Sequence, residues 1–269
     1  MTAAMYRRQQ GVALITALLV VALATIAAVS MATRQHLDIR RTTNVFTHDQ
    51  AYQLSLGAEA YALRLLGERG EDDELPWEGC VSPAIPVYLE EAELVVLLED
   101  LHCRFNLNAL AREDDELRQG FVRLLEEIAR ETPDLRLDPE RLLVHLTDWL
   151  DPETDDPAYR ALDPPYLSGN RPMLSPSELR LVLGVTTPIW WAVVPYVTAL
   201  PETTSIMNLQ VAPEVLQRAF GTAEDTTVES RYFRLAVRTE LAGRRFLLCS
   251  VLDTREQRVV LREQTACGP

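Results

Sequence analysis

The sequence predicts an α+β chain: a long N-terminal helix packed on an antiparallel sheet, with a large all-helical insertion dividing the strands of that sheet. Three observations carry this. An uninterrupted apolar run opens the chain, helical periodicity fills its middle, and alternating apolar and polar residues close it.

The opening run covers residues 12–32, VALITALLVVALATIAAVSMA, and contains no charge. As a helix rising ~1.5 Å per residue it is long enough to cross a bilayer. Arg7 and Arg8 stand before it, which favours a cytoplasmic N-terminus and puts the remaining chain on the far side. Past Ala32 the helical spacing continues through Leu37, Ala51, Leu54, Ala58, Tyr61, Ala62 and Leu65, and Gly67 and Gly70 supply a stop. One helix over residues 12–66 would be roughly 80 Å long, far beyond the usual globular helix.

An acidic loop, residues 71–78, leads into two β-like runs at 84–89 and 93–100. The second contains LVVLL at 94–98, a continuous apolar stretch that predicts a strand covered on both faces. Asn106 and Asn108 flank Leu107 in a turn-prone exit, where their expected role is to bond local backbone. Residues 111–200 then read as helical. The segment 116–130 is amphipathic through Leu117, Phe121, Leu124, Leu125 and Ile128. Asp138 caps a helix that runs to Leu150, with Pro139 at its first position. Ser175 and Glu178 form a capping box, and Thr187 and Pro188 open another short helix. Residues 175–200 resemble a helix-hairpin-helix unit turned at Gly184. Only Arg180 lies near that turn, so the segment reads as a packing module. A short helix near Val215 and Leu216 and a second acidic loop at 224–229 precede the closing strands, which turn at Ala242 and Gly243.

Composition narrows function. The formal net charge is −14, which argues against a nucleic-acid partner and against broad attraction to anionic lipid heads. Cys80, Cys103, Cys249 and Cys267 fall in the part placed outside the cytoplasm, where thiols oxidise. Proximity pairs Cys80 with Cys103 and Cys249 with Cys267. Three connectivities are possible, however, and the sequence does not choose among them. Spacing offers no zinc motif.

The Pro-rich stretch from Asp148 to Pro172, into which that helix runs, crowds Asp148, Asp151, Glu153, Asp155, Asp156 and Asp163 together, hard oxygen donors of the kind Ca²⁺ prefers. It is not an EF-hand, and a solvated acidic loop has the same composition. His36, His48, His102 and His145 join no nucleophile, metalloprotease or phosphate-loop pattern, so the chain is not expected to be an enzyme.

Gly11 stands immediately before the apolar run, behind basic residues, and this start resembles a type IV prepilin signal. The resemblance implies that prepilin peptidase cuts between Gly11 and Val12, making Val12 a methylated N-terminus. It also expects Glu at the fifth mature position, where this chain has Thr16. An incoming filament subunit uses that Glu to meet the terminal amine of the subunit ahead, so its absence suits a tip. RFNLN from Arg104, DWLD from Asp148, NRP from Asn170, SELRLVLGV from Ser177 and PYVTALP from Pro195 follow in the order of type II secretion system protein K, the large minor pseudopilin, and the chain resembles that family over nearly its whole length.

The resemblance implies a pilin-like fold with a leader at 1–11, a long helix at 12–66, a first α+β part at 67–110, a helical insertion at 111–200 and a C-terminal sheet part at 201–269. It implies a single-pass inner-membrane subunit with its folded part in the periplasm. That subunit would nucleate or cap a pseudopilus with the minor pseudopilins I and J, on an inner-membrane assembly platform. It further implies Ca²⁺ in the acidic loop, with Asp151, Glu153, Asp155 and Asp156 as ligands. The competing reading is a bitopic inner-membrane anchor whose periplasmic domain binds another envelope protein.

Overall fold

A computed structural model describes residues 3–68, 77–154, 156–221 and 229–268, with side chains from Val12 onward. Most of the acidic loops at 71–78 and 224–229, and Asp155, lie outside the described residues. The chain divides into a unit ending at Tyr52 and a second, Gln53–Pro269. Helix α1, Ala3–Gly67, supplies all the described residues of the first unit and opens the second.

Within the first unit the apolar stretch of α1 from Val12 to Val29 is exposed. Val12, Leu14, Ile15, Leu18, Leu23 and Ile26 are each more than half exposed. The hydroxyl of Thr16 donates back to the Ala13 carbonyl at 3.0 Å, so this polar side chain is satisfied inside its own helix.

In the second unit α1 changes character. Ser55, Glu59, Ala62 and Leu66 recur at intervals of three and four and are buried, which defines a single inward stripe. The stripe lies on a five-stranded antiparallel sheet. Its strands are β1 (Ile85–Tyr88), β2 (Ala92–Asp100), β5 (Tyr232–Leu241), β6 (Arg244–Asp253) and β7 (Arg258–Glu263), in spatial order β1-β2-β5-β6-β7. Register makes one face continuous. Leu94 pairs with Thr239, Val96 with Val237 and Leu98 with Leu235. Thr239, Val237 and Leu235 in turn pair with Phe246, Leu248 and Ser250.

The helix meets this face through polar as well as apolar groups. Ser55 Oγ lies 2.8 Å from Thr239 Oγ1, and the Glu59 carboxylate accepts from Ser250 Oγ and from both Nε and Nη2 of Arg262. Helix α1 stops at Gly67, where a Cβ would overlap the Gln257 side chain in the turn before β7. The β5–β6 turn places Ala242 and Gly243 at positive φ, 51° and 70°, as a two-residue hairpin turn requires.

Strand β2 departs from the expectation of two covered faces. Ala92, Leu94, Val96 and Leu98 are buried, whereas Leu97 is 38% exposed and Val95 only half-buried. An antiparallel sheet with a helix on one side leaves its other face open, and a run of apolar residues does not report this.

Between β2 and β5 the chain builds a second layer of structure. It comprises β3 (Phe105–Asn106), α2 (Asp115–Glu131), α3 (Pro139–Leu150), α4 (Thr187–Val193), β4 (Val197–Thr198) and α5 (Glu214–Phe220), with short 3₁₀ turns between them. Asp114 and Asp138 accept the backbone N–H groups of Leu117 and Arg141, capping α2 and α3. Pro176–Leu181, expected as a helix, is a 3₁₀ turn in which Ser175 Oγ accepts from Ser177 N and Glu178 reaches back to Leu174 N. Leu179, Val182, Ile189 and Val193 are buried on either side of Gly184, so this hairpin packs into the core.

That core is one apolar cluster running from Phe105 to Ala219 and centred on Phe121, Leu124, Leu125, Leu146 and Trp149. It draws in residues on both sides of the expected 111–200 segment, because Phe105 stacks on Phe121 at 5.1 Å and on Phe220 at 5.4 Å. Gly120 makes the last contact feasible, since a Cβ there would meet the Phe220 ring.

Candidate functional site: closure of the helical module and its acidic loop

The helical module leaves the five-stranded sheet after Asp100, and Leu200 comes back to pack beside Leu101 and Tyr232, where that sheet resumes. Its two ends are brought together by β3 and β4, a parallel pair with Phe105 opposite Val197 and Asn106 opposite Thr198. The segments RFNLN and PYVTALP, nearly a hundred residues apart, are thus neighbours. Asn106 and Asn108 are fully buried here and do more than bond local backbone. Asn106 donates to the carbonyls of Glu202 and Thr204 and accepts from Leu200 N, while it also accepts from Asn108 N. Asn108 donates to the carbonyls of Met173 and Leu200 and accepts from Met173 N. Local bonding was the expectation. Asn106 keeps one such bond, from Asn108 N, but the two side chains also span the module, because the backbone of Met173, Leu200, Glu202 and Thr204 has no strand of its own to pair with.

A charged joint stands beside this closure. Glu99 on β2 accepts from Arg104 Nε at 2.6 Å and also pairs with Arg234 on β5, and Arg104 Nη1 reaches the Val194 carbonyl at 3.1 Å. Burial pulls the Arg104 guanidinium below the ordinary arginine range, against the opposing pull of Glu99. One residue before Arg104, the structure joins Cys103 to Cys80, fastening the entry to β1 onto the start of the module; Cys249 is joined to Cys267, holding the C-terminal segment on β6.

The acidic loop hangs from α3. Asp151 Oδ1 accepts from Glu153 N at 2.9 Å and Oδ2 accepts from Thr154 Oγ1 at 2.8 Å. These bonds hold its carboxyl below the ordinary aspartate value. Asn170, of the NRP segment, fastens the loop from the far side. Its N–H donates to the Trp149 carbonyl and its Nδ2 to the Thr154 carbonyl, at a positive φ of 48°. Asp156 Oδ1 caps a 3₁₀ turn, Pro157–Ala161, through Ala158 N. Tyr159 in that turn is fully buried against Trp149. Its phenol is pushed up to about 12, first by burial and then by Tyr166 and the nearby carboxylates, against the Leu183 N–H.

Of the expected ligand set, Asp155 lies outside the described residues. Among the described residues, the carboxylates of Asp151, Glu153 and Asp156 do not all come within 4.8 Å of one another. A different trio does converge. One ligand atom each from His145, Asp148 and Asp156 lie within 4.8 Å of one another. His145 carried no metal expectation in the sequence; its spacing of three from Asp148 on a capped helix was the available signal.

On the sheet side, an apolar groove of about 970 Å³ opens between α1 and β1, lined by Leu54, Ala58 and Tyr61 against Ile85, Val87 and Leu89. At the other end, Gly11 and Val12 lie within α1, with Val12 63% exposed.

Comparison with known proteins places these features. Residues 103–202, the closure and the acidic loop, match the model of the family described as type II secretion system (T2SS), protein K. Type II secretion system protein K of Klebsiella pneumoniae is 32% identical over 247 residues, covering 84% of this chain and 74% of that protein. The Aeromonas hydrophila protein of the same name is 31% identical over 230 residues, 77% of this chain and 69% of that one. The Pseudomonas aeruginosa protein is 37% identical over 219 residues, 74% and 64% respectively. Among solved structures, a chain of the GspK-GspI-GspJ complex from the type 2 secretion system of enterotoxigenic Escherichia coli superposes with a TM-score of 0.67 at 20% identity. The match covers 84% of this chain and all of that one.

Proposed function

This chain belongs to the type II secretion system protein K family of minor pseudopilins, and on that premise we propose that it stands at the tip of a pseudopilus and nucleates or caps the filament. The observation that carries the reading is the exposed, charge-free stretch 12–32 of α1, an apolar surface left open within its own unit. A membrane covers it before assembly and neighbouring helices cover it afterwards. Thr16 supports the tip position. Its hydroxyl is bonded within α1, where a subunit that docks onto a preceding terminal amine would offer a carboxylate.

The partners we assign are the minor pseudopilins I and J. Support comes from the solved GspK-GspI-GspJ complex, and from the apolar groove along β1, which leaves surface for such neighbours. Prepilin peptidase and the inner-membrane assembly platform complete the set. Arg7 and Arg8 support a cytoplasmic start, and two disulfides support a periplasmic location for the folded part. The role is assembly, with no chemical step assigned to any side chain.

The decisive experiment is the N-terminal mass of the chain made with and without prepilin peptidase. The expected product begins at methylated Val12, and Gly11→Ala leaves the precursor intact. An N-terminus that ignores both the peptidase and the substitution returns the chain to a plain membrane anchor. For the acidic loop we propose Ca²⁺ as a ligand, supported by its carboxylate density. Millimolar Ca²⁺ should raise the melting temperature of the full chain in detergent, and an unmoved transition with no bound ion removes Ca²⁺ from the account.

A further inference from the structure

We propose that His145, Asp148 and Asp156 form a site for a borderline transition-metal dication of the Zn²⁺ class, separate in chemistry from the all-oxygen Ca²⁺ reading of the same loop. His145 and Asp148 are three residues apart on α3 and therefore share a face of that helix. Asp156 is delivered opposite them by the 3₁₀ turn it caps, and one donor atom of each lies within 4.8 Å of the others.

The donors are available. Asp156 uses Oδ1 on Ala158 N and keeps Oδ2, and the Asp148 carboxylate accepts no hydrogen bond among the described residues. Nε2 of His145 faces Arg141 Nε at 3.4 Å, a long contact, while its Nδ1 is buried with no hydrogen-bond partner. A buried ring nitrogen left without a partner is the exception in folded proteins, and a metal ion at Nδ1 satisfies it. Binding moves the imidazole proton to Nε2 and gives up the weak Arg141 contact.

The donor set selects the class of ion. Ca²⁺ takes six to eight oxygens, whereas one imidazole and two carboxylates match four-coordinate Zn²⁺ with donors at about 2.0–2.2 Å. Ligands at that distance sit roughly 3.3–3.6 Å from one another, inside the 4.8 Å that bounds the trio, and the half-buried Asp148 side chain has room to adjust. The fourth position is left for water or for a donor from a neighbouring subunit. Once loaded, the ion ties the end of α3 to the turn at Asp156 and makes the loop between them a closed ring.

The test uses the full chain in detergent, stripped of metal and dialysed against Zn²⁺ in the presence of excess Ca²⁺. A single tightly held Zn²⁺ per chain is expected. His145→Gln and Asp148→Asn should each weaken binding more than about tenfold, with metal-free melting temperatures unchanged. Cobalt substitution should add visible absorption of a four-coordinate nitrogen–oxygen site that both variants lack. If either variant holds Zn²⁺ as tightly as the parent chain, or if Ca²⁺ displaces it, the proposal fails. Neither result bears on processing at Gly11, so the pseudopilin reading stands or falls separately.

Discussion

Two joints in this molecule fasten segments that are distant in sequence, and they work by opposite means. Helix α1 is held to the sheet by an ion pair, Glu59 with Arg262, supported by Ser250 and by the Ser55–Thr239 hydroxyl pair. The helical module is closed by two neutral amides, Asn106 and Asn108, inside an apolar core. Removing Glu59 and Arg262 from water incurs a desolvation penalty that Coulomb attraction must offset, and Arg262 keeps about a third of its side chain in solvent. An amide carries no charge, so satisfying both its donors and its acceptor suffices to make burial favourable. The module closes where no water reaches, and the helix docks at a margin that water still touches.

The sharpest way to break the comparison is Asn108→Ala. It strands Met173 N, Met173 O and Leu200 O in a dry site and should destabilise the chain by about 3–5 kcal/mol. Chemical denaturation measures it; a loss below about 1 kcal/mol would mean that the apolar packing closes the module unaided.

Glu59→Ala should come next, at about 2–3 kcal/mol, below the range for a fully buried pair because Arg262 can turn toward solvent. Replacing both partners, Glu59→Leu with Arg262→Leu, should recover most of that loss. A double variant as unstable as the single one would show that the pair contributes net energy rather than choosing which face of α1 meets the sheet.

The smallest effect concerns pH. Burial raises the affinity of Asp253 for a proton, but Arg231, bonded through both Nε and Nη2, and the Glu256 N–H outweigh it and hold the carboxyl below the ordinary aspartate value. The unfolded chain therefore binds this proton first as pH falls. The stabilisation is complete above the ordinary aspartate pKa and is lost as pH drops through the lower folded value. Asp253→Asn should flatten that acid limb of the stability curve while leaving the shape of the curve near neutrality unchanged. An unaltered acid limb would show that other carboxylates set it.

Much of this was legible in the residues. The apolar run from Val12 in α1, the alternating strand β5, the cap at Asp138 and the hairpin at Ala242 and Gly243 all follow from periodicity and local chemistry. What escaped depends on distant neighbours. Leu97 belongs to an apolar run, yet nothing in that run says that one face of the sheet stays open. Asn108 looks like a turn residue until Met173 and Leu200 are beside it. The acidic loop announced carboxylates but not which would meet, and the trio that meets includes a histidine.

The sequence by itself determined the kind of chain this is, because a charge-free run after Gly11 and the periods of helix and strand are properties of near neighbours along the backbone. Tertiary structure alone decided which polar groups pair. A buried donor must find whatever acceptor packing brings to it, and that acceptor can lie a hundred residues away.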